Sequence, residues 1–236
     1  MNDSTVLITG ANRGLGLGLA RVYLEDGWNV IAVNRSSSQE LESLQNGRLD
    51  IRSCDLTDDD QLQALARSMA DRPLDILVNN AGRMAKSGAD ATSRGVQGIG
   101  HFNRALWHRV FDINLFTPMY LSELLSANLA RSERGRIVIL SSMLGSMTLN
   151  TSGGLYAYRA SKAGVNAIVK SMSIDLADRG IIAIAQHPGW VQTDMGGRGA
   201  DIDISTSVTG MKAVFDGLTP ADSGKFFSWD GSEMPW

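Results

Sequence analysis

Tyr158 and Lys162 stand four residues apart, about one turn of a helix, so a phenol and an ammonium would share one face. Val165, Ile168, Val169, Met172 and Leu176 recur at amphipathic spacing and predict that helix. Tyrosine ordinarily ionises near about 10, and a fixed positive charge beside it favours the phenolate and lowers that value. A phenol tuned this way exchanges a proton with a substrate oxygen near neutral pH. An ordinary surface Tyr/Lys pair has the same spacing, so the pair matters only if other parts of a site accompany it. Tyr156 competes for the role, but six residues place it about 240° round a helix from Lys162, whereas Tyr158 is within about 40°.

A second chemical feature lies near the start. Thr5–Thr9 is β-prone, Gly10-Ala11-Asn12-Arg13-Gly14-Leu15-Gly16 follows at once, and Leu17 to Asp26 reads as a helix. A glycine-rich turn between strand and helix lets backbone N–H groups meet a phosphate at the helix N-terminus. The same glycines would equally serve a tight turn that needs positive φ. The next strand, Trp28–Val33, ends in Asn34-Arg35-Ser36. An acid there would bind a ribose 2′-hydroxyl, whereas an arginine accepts a 2′-phosphate. No acid is present. Arg35, with Arg13 as a second cation, points to NADP(H) over NAD(H).

The elements that must position these groups alternate along the chain. Further strands are expected at Leu49–Ser53, Leu74–Val78, Arg136–Leu140, Ile181–Ala185 and Lys225–Trp229. Helices are expected near 39–45, from a Thr57 cap to Ala70, over Asn103–Leu129 with Pro118 as a possible kink, and over Ser205–Phe215. Asp58, Asp59 and Asp60 suit a first helical turn and are not read as a metal site. The near-continuous apolar strand before Asn79-Asn80-Ala81-Gly82 suggests burial on both faces, as in parallel sheets. Its two asparagines must use their amides, to hold adjacent strands or to frame a ligand pocket. Asn114 lies among apolar neighbours on the long helix, and Ser141-Ser142 end the fifth strand. Ligands of open α/β sheets bind at such carboxyl ends. No repeat or linker breaks the βα alternation, so residues 1–236 read as one doubly wound α/β domain.

Composition narrows the class. The chain has 236 residues, 43% hydrophobic and 20% charged, enough for one unstapled globular core. A net charge of −3 without a basic stripe argues against nucleic acid or an anionic membrane as partner. Cys54 is the only cysteine, so no internal disulfide forms, which fits a reducing, cytoplasmic setting. No membrane span and no secretory leader are expected. The three histidines share no metal-ligand spacing, and no metal is expected.

Taken in order, Thr9-Gly10 with Gly14 and Gly16, Asn79-Asn80-Ala81-Gly82, Asn114, Ser142, Tyr158 with Lys162, and Pro188-Gly189 with Thr193 resemble the short-chain dehydrogenase/reductase family over essentially the whole chain. Ala11-Asn12-Arg13, the segments Tyr156–Ala163 and His187–Gly197, and the run Trp229–Trp236 look closest to its C-factor/sniffer-like carbonyl reductase branch. The resemblance implies a three-layer Rossmann fold with a mainly parallel seven-stranded sheet of order 3-2-1-4-5-6-7. It implies Tyr158 as general acid, with Lys162 lowering its pKa and holding the nicotinamide ribose. Ser142 would donate to the carbonyl oxygen, and Asn114 would hold a relay water behind Lys162. Phosphates would lie over Gly10, Asn12, Arg13, Gly14, Leu15 and Gly16, beside Asn34 and Arg35. Asp55 and Leu56 would flank the adenine, with Asn80, Ala81 and Gly82 on the ribose side. Val191 and Thr193 would orient the carboxamide, and Pro188 and Gly189 would also bind the cofactor.

Ser141 competes with Ser142, but the family pattern favours the second serine of such a pair, and strand alternation sends the two to opposite faces. One departure is that Ser142 precedes Tyr158 by 16 residues, three more than in many members, which extends the loop around Met147–Gly154. The expected activity is NADP(H)-dependent hydride transfer between nicotinamide and a carbonyl or alcohol. The substrate is expected to be small and apolar, to be met by loops 83–100, 143–154 and 193–204. The family also implies a homodimer or homotetramer. A nucleotide-binding regulator of the same fold is the alternative.

Overall fold

The computed structural model describes residues 3–84 and 98–236. Most of the expected 83–100 substrate loop therefore lies outside the described residues. Seven strands, β1 (Thr5–Thr9), β2 (Asn29–Asn34), β3 (Leu49–Ser53), β4 (Ile76–Asn79), β5 (Arg136–Leu140), β6 (Ile182–His187) and β7 (Phe226–Ser228), form one sheet of order β3-β2-β1-β4-β5-β6-β7. All six pairings are parallel. The doubly wound expectation and its strand order hold.

The alternation of side chains along each strand explains why these runs read as continuously apolar. Val6, Ile8, Val30, Ala32, Ile76, Val78, Val138 and Ile184 enter one core. Leu7, Ile31, Val33, Leu77, Ile137, Ile139, Ala183 and Ala185 enter the other. Both faces are thus covered, as a parallel sheet requires. Helices α1 (Gly14–Glu25) and α7 (Ile204–Gly217) supply the first core. Helices α3 (Asp59–Met69), α5 (Thr117–Leu129) and α6 (Tyr156–Asp175) supply the second. The short helix α2 (Gln39–Glu42) buries Leu41 alone.

Three local expectations change. Helix α1 begins at Gly14, so it grows directly out of the glycine turn rather than from Leu17. Helix α3 is capped by Asp58, whose carboxylate accepts from the Gln61 amide at 3.1 Å, while Thr57 turns back to Asp55. A carboxylate at that position also meets the positive end of the helix dipole. The long helix expected over 103–129 is three pieces: α4 (Arg104–Phe111), a π-turn over Asp112–Phe116, and α5. Pro118 has no N–H to offer the Asn114 carbonyl four residues back, and the ladder widens just ahead of it. The proline itself sits in the first turn of α5, where a missing N–H costs little. The irregular turn carries Asn114.

Candidate active site

The carboxyl ends of the central strands open together into a cleft of about 1450 Å³. Gly10 after β1, Asn34 and Arg35 at β2, Asn80 to Gly82 after β4, and Pro188 after β6 line it. Tyr158 and Lys162 close its inner end.

The glycine turn is held from beneath. Gly10 has φ +67° and donates to the Val33 carbonyl at 2.8 Å. The Asn80 amide nitrogen donates to the carbonyls of Thr9 and Gly10 at 2.8 and 3.1 Å. The Thr9 hydroxyl accepts from the Asn80 and Ala81 amides at 3.1 and 3.0 Å. Asn80 therefore both ties β1 to β4 and frames the cleft, whereas Asn79 turns inward to Ser122 at 3.2 Å. Helix α1 has no side-chain cap and no acid in its first turn. Its first N–H groups, which have no partner within a helix, open on the cleft at Gly14 and Leu15. Gly16 is needed for a different reason: a Cβ there would lie 2.6 Å from the Asn80 amide nitrogen and collide with the Gly10 carbonyl.

At the far end, Asn34 is buried with neither amide atom hydrogen-bonded among the described residues. Orphaned polar atoms of this kind in a cleft wall ask for a ligand partner. Arg35 lies exposed beside them. The Asp55 carboxylate is held low by hydrogen bonds from the Thr57 amide and hydroxyl, with Arg35 adding a smaller pull. Arg13 lines the cleft, and its guanidinium reaches the Asp194 carboxylate of the flap after β6 at 2.8 Å. Both side chains are more than 70% exposed, and such a pair is worth at most about 1 kcal/mol.

The unpartnered Asn34 amide, the open helix N-terminus and the glycine cradle together fit a dinucleotide. Gly10 to Leu15 suit its phosphates, Asn34 and Arg35 its adenosine ribose, and Asp55 and Leu56 its base.

At the inner end Tyr158 and Lys162 share a face of α6, the ammonium 5.8 Å from the phenol ring centroid. The Lys162 Nζ donates to the Leu140 carbonyl at 2.6 Å. Burial pushes the ammonium down to about 8. The expected lowering of the phenol is reversed: burial pushes Tyr158 up to about 12, and a hydrogen bond with Ser142 recovers only part of that. Desolvation disfavours both charged forms. Burial thus keeps Tyr158 a protonated phenol at neutral pH, while the ammonium makes its short contact with Leu140.

The two serines separate as alternation requires. Ser141 donates to the Asn166 side-chain Oδ1 at 2.6 Å inside the core, while Ser142 reaches the Tyr158 phenol. The wall of the cleft includes Ser141, yet its hydroxyl is committed to Asn166, whereas Ser142 is the serine hydrogen-bonded with the Tyr158 phenol. Asn114 accepts from the Arg83 amide at 2.8 Å and donates to the Arg83 carbonyl and the Ser161 hydroxyl, each at 3.0 Å. A Cβ on Gly82 would sit 3.2 Å from the Asn114 carbonyl oxygen and 3.7 Å from the Lys162 nitrogen. The bare glycine thus leaves a small polar space between those two groups.

Beyond β6, Gly189 has φ +87°, and a Cβ there would press within 2.6 Å of Ile202. Val191 is buried against Ile202, and Thr193 accepts from the Gly196 amide at 3.1 Å to form the flap turn. Gly16, Asn114, Ser142, Gly189 and Val191 thus support the cleft lining, and Thr193 belongs to it. Arg109, Asp112, Gln192 and Arg198 also line the cleft and had no sequence signal, because helix and flap packing alone brings them there.

His187 is buried at the end of β6, and that burial pushes it down to about 4, with Asp230 pulling weakly the other way. Its unfolded value is near 6.5. The stability that neutral His187 contributes is therefore complete above about 6.5 and is lost as the pH falls through about 4. Urea unfolding should show a loss of about 3 kcal/mol across that window, at about 1.4 kcal/mol per unit. The variant His187→Gln should flatten it.

Residues 4–201 match the sequence profile of the short chain dehydrogenase family, and the chain belongs to that family. Its likeness to Sniffer carbonyl reductases and to C-signal places it in the Sniffer-like branch. The structure matches carbonyl reductase Sniffer of D. melanogaster with a TM-score of 0.91 at 32% identity, covering 100% of both chains. It matches the NADPH-bound carbonyl reductase from chicken fatty liver with a TM-score of 0.87 at 30% identity, again over 100% of both. Among sequences, the C-signal of Myxococcus xanthus is 41% identical over 175 residues, 74% of this chain and 100% of that protein. The 1-hydroxy-2-glutathionyl-2-methyl-3-butene dehydrogenase of a Rhodococcus species is 30% identical over 239 residues, 99% and 100% of the two.

Proposed function

We propose that this oxidoreductase uses NADP(H) to reduce an apolar ketone or aldehyde, with residues 1–236 acting as one nucleotide-binding unit. The observation that carries the reading is the Ser142–Tyr158 hydrogen bond, beside Lys162, at the inner end of a glycine-cradled cleft. NADPH bound there supplies the hydride. Tyr158, held protonated by burial, gives its proton to the substrate oxygen. Ser142 donates to the same oxygen, where negative charge develops. Lys162 would hold the ribose hydroxyls of the bound cofactor and, as an ammonium below about 8, would ease the phenol's loss of its proton. Asn114 keeps the polar space beside Lys162 through which a proton can return. Val191 and Thr193 shape the carboxamide side.

The choice of NADP(H) rests on Arg35, the exposed cation beside the orphaned Asn34 amide, in a strand end without an acid. The comparison structures from chicken fatty liver and Burkholderia multivorans hold NADPH and NADP, respectively. Steady-state kinetics of Arg35→Ala should show KM for NADPH raised about tenfold or more with KM for NADH nearly unchanged, as loss of a charge-assisted phosphate contact implies. Equal effects on both cofactors would remove the 2′-phosphate assignment.

The resemblance to C-signal favours a second reading, a nucleotide-binding signalling protein with little turnover. Tight NADPH binding with no reduction across a broad carbonyl panel would favour it. We place the protein in the cytoplasm on the strength of its lone, buried Cys54. Self-association through α4 and α6 belongs to the same reading, with Phe102 just before α4 and Ile174 near the end of α6 exposed.

A further inference from the structure

The loop that follows Ser142 is held by a segment far away in sequence. After β7, Asp230 accepts from the Ser232 amide and hydroxyl, and Gly231 takes φ +86°. The chain then runs back antiparallel along β7. Ser228 donates to the Ser232 carbonyl at 2.8 Å, Met234 donates to the Phe226 carbonyl at 2.7 Å, and Phe227 bridges Glu233. This brings the Trp236 indole into a stack on Phe226, centroids 5.8 Å apart and planes 17° off parallel. Phe226 is fully buried, so the stack anchors Trp236 to the core.

One atom of that residue then collects three donors from the loop. The Trp236 main-chain oxygen accepts from the Met147 amide at 3.0 Å, the Thr148 amide at 3.1 Å and the Ser146 hydroxyl at 3.0 Å. Ser146 in turn accepts from the Leu149 amide at 3.2 Å. The loop start is equally constrained. A Cβ on Gly145 would lie within 2.8 to 3.0 Å of the Lys162 backbone and Cβ. Arg159, next to Tyr158, ties the Leu144 carbonyl at 3.3 Å and the Ser152 hydroxyl at 2.9 Å. The loop leaves through Gly153, Gly154 and Leu155, all with positive φ. A left-handed leucine persists only where its surroundings over-determine it.

We propose that Trp236 is a positioning residue: by pinning residues 146–148 it fixes where Ser142 and the apolar side chains of Met143, Met147 and Leu149 stand relative to Tyr158. This rests on the carbonyl-reductase reading for its kinetic part and on geometry alone for its structural part. Substrate meets the loop side of Tyr158, whereas the nucleotide meets the glycine turn across the cleft. Loosening the pin should therefore act on carbonyl turnover and spare cofactor binding.

The test uses the full chain as Trp236→Ala, Trp236→Phe and, as a milder change that leaves the stack intact, Ser146→Ala. Hydrogen exchange of the Met147 to Leu149 amides, NADPH titration by calorimetry and steady-state reduction are read together. Trp236→Ala should speed exchange of those amides about tenfold or more. It should lower kcat/KM for the carbonyl about tenfold while the NADPH Kd stays within about twofold, since small misplacements near the chemistry are costly. Trp236→Phe, which keeps a stacked ring, should restore both, and Ser146→Ala should show a smaller change of the same kind. Unchanged loop exchange in Trp236→Ala overturns the proposal, as does a Phe variant no better than Ala. If Trp236→Ala fails to fold, unchanged loop exchange in Ser146→Ala overturns it. If the wild type reduces no carbonyl, the reductase reading fails instead, and the exchange measurements alone decide the pin.

Discussion

Tyr158→Phe is expected to lower kcat/KM for carbonyl reduction by about 10²- to 10⁴-fold, the usual contribution of a positioned proton donor. The ring fills the same buried space, so packing is kept and only the hydroxyl is lost. That hydroxyl is the partner of Ser142 and the nearest acid to the inner end of the cleft. NADPH affinity should stay near the wild-type value, because the glycine turn and Arg35 are untouched. Steady-state kinetics with calorimetric NADPH titration separates the two effects. A variant with near wild-type turnover would mean that another group supplies the proton, and Tyr156, half exposed at the first turn of α6, would be the next to replace.

The second large effect is expected at Gly16. In Gly16→Ala the new methyl meets the Gly10 carbonyl and the Asn80 amide nitrogen, neither of which can yield. Asn80 is held by both Thr9 and Gly10, and Gly10 by Val33. The turn must open, at a cost of about 1 to 3 kcal/mol of stability, typical of forced overpacking. The same opening pulls the N-terminal amides of α1 away from the phosphate position. NADPH affinity should fall by about 10²-fold or more, as one or two charge-assisted hydrogen bonds are lost. Calorimetric titration and thermal unfolding check the two parts. Wild-type affinity in this variant would mean that the turn does not cradle the cofactor. The contrast with Gly14 is instructive, because a Cβ there meets only Thr193, at 3.7 Å. Gly14 answers to its φ of +56°, and Gly16 to a collision.

Much of this was legible in the chain. Strands such as Arg136–Leu140 appear where β-branched runs place them, because two apolar faces leave little choice of conformation. Tyr158 could be picked over Tyr156 by helical angle alone, and Ser142 over Ser141 with the help of strand alternation. What could not be read are features made by long-range contacts. The π-turn at Asn114 depends on how the ladder ahead of Pro118 relaxes against the Arg83 backbone and Ser161. The ion pair of Arg13 with Asp194, a flap residue 181 positions away, gave no signal either. The phenol's upward shift reflects burial, which spacing along one helix does not reveal. Trp236 gave no sign of its contact with residues 146–148, some 90 positions earlier.

The most direct test of the central claim is isotopic. Wild-type protein is incubated with NADPH deuterated at the transferable nicotinamide position and a panel of apolar ketones and aldehydes, and products are read by mass spectrometry. The expected result is deuterium on the carbinol carbon of at least one alcohol, with one NADP formed per alcohol. Saturating NADPH binding with no labelled alcohol from any member of the panel would contradict it.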